Sequence, residues 1–108
     1  MDSRLKERLD KWHASIEELH DIEAKKLELE ASEKPFFSTL FVKSSGKSIA
    51  EREHQVYASS EWKEFQAGLV YARLEFNKAI RLLDLKKSAY NAEYLTFKLE
   101  SDGLRPQQ

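Results

Sequence analysis

The sequence predicts an all-α fold: a long antiparallel helical hairpin with a short elbow helix and an aromatic loop, assembled into an oligomer. Three observations carry this expectation. Residues 60–103 contain no proline, and their apolar side chains Trp62, Phe65, Leu69, Ala72, Phe76, Ala79, Leu83, Tyr90 and Phe97 are spaced by threes, fours and sevens, as a helix seam requires. A second stripe, Leu5, Leu9, Trp12, Ile16 and Leu19, has the same spacing near the N-terminus. Only three Gly and two Pro punctuate 108 residues, and charged side chains make up 34% against 41% hydrophobic, a balance typical of long helices laced with solvent-facing charge. A helix of roughly 40 residues is about 60 Å long, more than a compact domain of this size needs. It therefore requires cover, which the first helix and a second chain can supply.

Length and charge set bounds. Residues 1–108 read as a single domain near the lower end of what buries a self-sufficient core. The net charge of −1 creates no global attraction to nucleic acid or acidic membranes, so such binding needs a local patch. With no cysteine, disulfides, thiolate nucleophiles and thiolate metal sites are all excluded. The opening residues lack the apolar core of a signal peptide, and no apolar run approaches the ~20 residues of a membrane span. A cytoplasmic protein without a membrane partner is expected.

The first helix is expected over residues 3–34, capped by Asp2 or Ser3. After Leu19 its seam blurs, because Glu23 and Lys26 stand where a strict heptad would place apolar residues, although Ile22, Leu27 and Leu29 continue an apolar face. Up to residue 34 the chain holds ten Asp and Glu against seven Lys and Arg, a solvated and mildly acidic face. Pro35 is expected to end this helix, because it lacks an amide and its ring disfavours helical geometry at Lys34.

An aromatic loop is then expected over residues 35–47. Phe36, Phe37, Leu40, Phe41 and Val42 crowd five apolar side chains into seven positions, followed by the polar Lys43, Ser44, Ser45, Gly46 and Lys47. Two readings compete. The side chains either fold back to plug the open end of the hairpin, or form an adhesive patch on which a partner docks, with Phe36, Phe37, Leu40, Phe41, Lys43 and Lys47 as contacts. Phe37 and Phe41 beside Lys43 and Lys47 also suit base stacking with phosphate pairing.

Ser48-Ile49-Ala50-Glu51 is a capping box, in which Ser48 bonds the amide of Glu51 and the Glu51 carboxylate reaches back to Ser48. It predicts a short helix over residues 49–58 with Ile49, Val56 and Tyr57 on its buried side. Ser59 or Ser60 then caps the long helix, residues 61–101. Within it Gly68 costs about 1 kcal/mol relative to alanine, which close approach of another backbone would justify, from helix one or a second subunit. Val70, Leu74, Ile80, Leu82 and Leu85 make the helix apolar on more than one side, which implies more than one neighbour. Lys78, Arg81, Lys86 and Lys87 form a basic stretch expected to pair with the acidic first helix; phosphate binding is the alternative. Gly103 suits a left-handed helix terminus, and residues 104–108 read as a frayed tail.

Little in the chain suggests catalysis, and no catalytic residue is nominated. Glu17 with His20 and Glu51 with His54 form two Glu-x-x-His pairs, and His13 joins the first. Paired copies hold two metal ions in ferritin-like bundles, but such a site needs inward Glu residues on two further helices, with Glu75 or Glu93 as the candidates. No metal ligand or cofactor is assigned. The three glycines stand alone, so no phosphate-binding loop is present, and no serine lies in an elbow motif.

Ser48 to Glu53, then Ala58, Ser59, Glu61 and Trp62, followed by a long charged helix, resemble a loosely defined group of small tailed-phage and prophage proteins. Their shared pattern is a serine or threonine, an aliphatic residue and Ala-Glu-Arg-Glu, then Ala-Ser, any residue, Glu and an aromatic. The resemblance covers about half of the chain. It implies a phage-encoded protein acting in the host cytoplasm, in a group often encoded near recombination and single-strand annealing genes. The expected function is non-enzymatic: binding a protein partner, either a phage recombination factor or a host or defence protein. The alternatives are a single-stranded DNA-binding accessory protein and a metal-binding helical bundle.

Overall fold

α1 (Ser3–Lys43), α2 (Ile49–Ala58) and α3 (Ser60–Ser101) account for nearly all of residues 3–103, which the computed structural model describes. The fold is all-α, with α1 and α3 as the two arms of a long helical hairpin and α2 as the elbow. Asp2 as a cap and the expected tail of residues 104–108 lie outside the described residues, and Ser3 is already helical. Among the described residues no helix is long and apolar enough to cross a membrane. The chain packs as two units, one formed by Met1–Asp21 with Asn77–Gln108 and the other by Ile22–Phe76.

In the first unit the two seams predicted from spacing meet. Leu5 and Ala79 are buried, and Leu9, Trp12, Ile16, Leu83, Tyr90 and Phe97 are half-buried. Trp12 packs on Tyr90 with ring centroids 5.3 Å apart, and Arg8 Nε stands 4.0 Å from Glu93 Oε1. α3 ends as expected: Gly103 takes a φ of 71°, and its amide donates to the Glu100 carbonyl at 3.2 Å.

The second unit has a thinner seam on α1. Leu69 and Ala72 are buried on α3, and on α1 half-buried Ile22 and Leu29 continue the apolar face, while Leu27 is exposed and half-buried Lys26, Glu30 and Glu33 take the remaining places. These polar groups are partnered. Lys26 Nζ lies 4.5 Å from the centroid of the Phe76 ring and 3.1 Å from Glu30. Glu30 also pairs with Arg73 at 3.8 Å, and Gln66 donates to Glu33 at 3.3 Å. The blurred heptad after Leu19 is thus a polar zipper segment, in which long side chains lay their stems along the seam.

Pro35 does not end the first helix. α1 continues eight residues past it, so most of the expected aromatic loop of residues 35–47 is helical and only residues 44–48 link α1 to α2. An interior proline costs about 3 kcal/mol, because it withholds the amide that would reach the Ala31 carbonyl. Packing offsets this cost. Phe36 stacks on Phe65 at 5.0 Å and on Trp62 at 6.3 Å, while Phe37 meets Trp62, Tyr57 and Phe41 at 5.4, 5.3 and 6.3 Å. Such aromatic pairs contribute roughly 0.5–1.5 kcal/mol each beyond the area they bury. They form only if the helix carries both phenylalanines round to α2 and α3.

Candidate partner-binding surface

The link between α1 and α2 is short and heavily bonded. Ser44 closes α1, its amide and hydroxyl both donating to the Phe41 carbonyl. The Ser45 amide donates to Gln55 Oε1 at 3.0 Å, and Arg52 Nε donates to the Gly46 carbonyl at 2.9 Å. Ser48 caps α2 as expected, accepting from the Glu51 amide at 3.1 Å. The Glu51 carboxylate, however, accepts from the amide of Lys47 at 2.7 Å rather than reaching Ser48. Gly46 is buried, and a Cβ there would lie 2.8 Å from the Arg52 nitrogen and 2.9 Å from the Glu51 Cβ, so close backbone approach requires glycine. Side chains of α2 therefore hold this turn in one shape.

On this frame the predicted contact residues divide. Phe36, Phe37, Leu40 and Phe41 are half-buried and belong mainly to the hairpin's own packing, with the Arg52 guanidinium 5.8 Å from the Phe41 ring centroid. Lys43 and Lys47 are exposed. Leu40 and Lys43 line a shallow groove with Gln55, Val56 and Glu61, and Phe37 lines another with Lys34, Tyr57 and Trp62. Phe37 and Phe41 already contact neighbouring rings and, at Phe41, the Arg52 guanidinium, so base stacking there would compete with the hairpin's own contacts.

The outward apolar groups are others. Val42 is 77% exposed, Ile49 70% and Tyr57 55%. Ile49 and Tyr57 were expected on the buried side of α2, where only Val56 is buried. Ile49 occupies the first position of α2; one turn on, Arg52 takes the inward contact through Gly46 and Phe41. The sequence signal available for Ile49 was its place directly after the cap Ser48, at the rim of the turn.

The basic stretch does not pair with the acidic helix. Lys78, Arg81 and Lys87 are exposed and Lys86 half-buried, and none forms an ion pair among the described residues. Arg8 with Glu93 and Arg73 with Glu30 are among the pairs that link α1 to α3. Lys78 and Arg81 lie one turn apart, whereas Lys87 is about half a turn round the helix from Lys78, so the four do not make one patch.

Among the described residues no three His, Asp or Glu side chains converge as a metal site would require. His13, Glu17 and His20 are exposed, and Glu51 of the second Glu-x-x-His pair is engaged by the Lys47 amide. The chain matches no family model, no curated protein and no solved structure.

Proposed function

We propose that this is a non-enzymatic, phage-encoded helical module that acts in the host cytoplasm by binding a protein partner, a phage recombination factor or a host or defence protein. The observation that carries the reading is the turn between α1 and α2. Its backbone is fixed by Gln55, Glu51 and Arg52, and it presents Val42 and Ile49, flanked by Lys43 and Lys47, to solvent. Apolar groups held outward on a rigid turn lose little entropy on docking, and a basic rim favours an acidic partner surface. The phage setting is supported by the pattern from Ser48 to Trp62. Single-strand binding is the second reading, favoured by the exposed Lys78 and Arg81, which make no ion pair among the described residues.

The test is capture from nuclease-treated lysate of phage-infected cells with tagged wild type and with Ile49→Glu. A stoichiometric protein retained by wild type and absent with Ile49→Glu is expected. Recovery of nucleic acid alone, lost in high salt, would transfer the function to the second reading.

A further inference from the structure

We propose that a second copy of this chain packs on the face of α3 formed by Val70, Tyr71 and Leu74, the two α3 helices running antiparallel around a two-fold axis at Tyr71. These side chains are 52, 66 and 61% exposed, on the side of the helix turned away from buried Leu69 and Ala72. Gly68 stands beside them. Glycine inside a helix costs stability relative to alanine, and close approach of another backbone is what justifies it. Within the chain itself nothing lies within 4 Å of where a Gly68 Cβ would sit, so helix one does not use that space. An open groove runs from Gly68 and Tyr71 to Lys25 and Glu28 on α1.

Two features point to a second copy as the occupant. Charges around the face have both signs, with Lys25 and Lys63 against Glu28, Glu64 and Glu75, as an isologous contact between identical surfaces needs. With the axis at Tyr71, antiparallel packing sets Leu74 of one copy over exposed Gly68 of the other, large against small, so that Gly68 admits the facing helix. This surface is separate from the turn that carries the partner reading, so either can fail alone.

The test is the solution mass of the full chain by sedimentation equilibrium, with crosslinking. Wild type is expected at twice 12.6 kDa. Leu74→Glu and Gly68→Gln are expected to weaken self-association by about tenfold or more while remaining helical by circular dichroism. Because the chain has no cysteine, Tyr71→Cys reports the axis directly: oxidation should yield a covalent dimer, and exposed His13→Cys should not. Ile49→Glu should leave the mass unchanged. A wild type of single mass, including one that captures a different protein on this face, overturns the proposal. So does a dimer that survives Leu74→Glu, or one in which Tyr71→Cys does not crosslink.

Discussion

The ring of Phe37 meets the indole of Trp62 edge-on, with centroids 5.4 Å apart and planes at 79°. That contact joins the last turns of α1 to the first turns of α3, and it exists because α1 does not stop at Pro35. The hairpin keeps an interior proline because the helix beyond it is held by the ring contacts of Phe36, Phe37 and Phe41 as well as by its own ladder.

Pro35→Ala should therefore stabilise the protein by about 1–3 kcal/mol, since alanine restores the amide facing the Ala31 carbonyl and removes the ring's clash. Chemical denaturation read by circular dichroism checks it. A loss of stability would mean that the helix does not pass through residue 35 as described.

Gly46→Ala should destabilise by about 1–3 kcal/mol, because the added Cβ would meet the Arg52 nitrogen at 2.8 Å, and backbone on α2 cannot move aside without breaking the bond from Arg52 to the Gly46 carbonyl. Thermal melting measures the loss, and amide exchange at Lys47 and Glu51 should quicken with it. An unchanged melting temperature would show that the turn is not tightly held.

Glu7 is exposed, and the Lys11 ammonium, hydrogen-bonded to its carboxylate at 3.0 Å, holds its pKa below the usual glutamate value. A folded-state pKa lower than the unfolded one adds stability that is complete above the unfolded value and is lost as pH falls through the folded value. Screening keeps this effect small at such an exposed pair. Carboxyl-resolved NMR titration should show the Glu7 pKa rising towards its ordinary value in Lys11→Gln or in high salt. A pKa that ignores both changes would sink the assignment.

Much of the fold was legible because helix seams and caps are local codes. The spacing of Leu5, Trp12, Leu69, Ala72 and Ala79 marked the faces that became buried or half-buried. Ser48 and Gly103 took their predicted terminal roles, and Ser59 caps α3 by accepting from the Trp62 amide at 3.2 Å. The sequence shows the local penalty of Pro35, whereas the packing that outweighs it joins residues twenty or more positions apart. The same limit hid the outward side of Ile49, whose inward place is filled by Arg52. Lys78 and Arg81 looked like partners for the acidic helix by composition, but composition does not give helical phase.

The central claim is a division of labour: the inward aromatics hold the hairpin, and the outward side chains of the turn bind. The most direct measurement compares Phe37→Ala with Ile49→Glu for both stability and partner retention on nuclease-treated lysate. Phe37→Ala should lose about 2 kcal/mol of stability, since its ring is only half-buried, yet its folded fraction should keep the partner. Ile49→Glu should melt like wild type and lose the partner. If Phe37→Ala releases the partner at full stability while Ile49→Glu retains it, the binding surface lies on the aromatic ridge and the account is wrong.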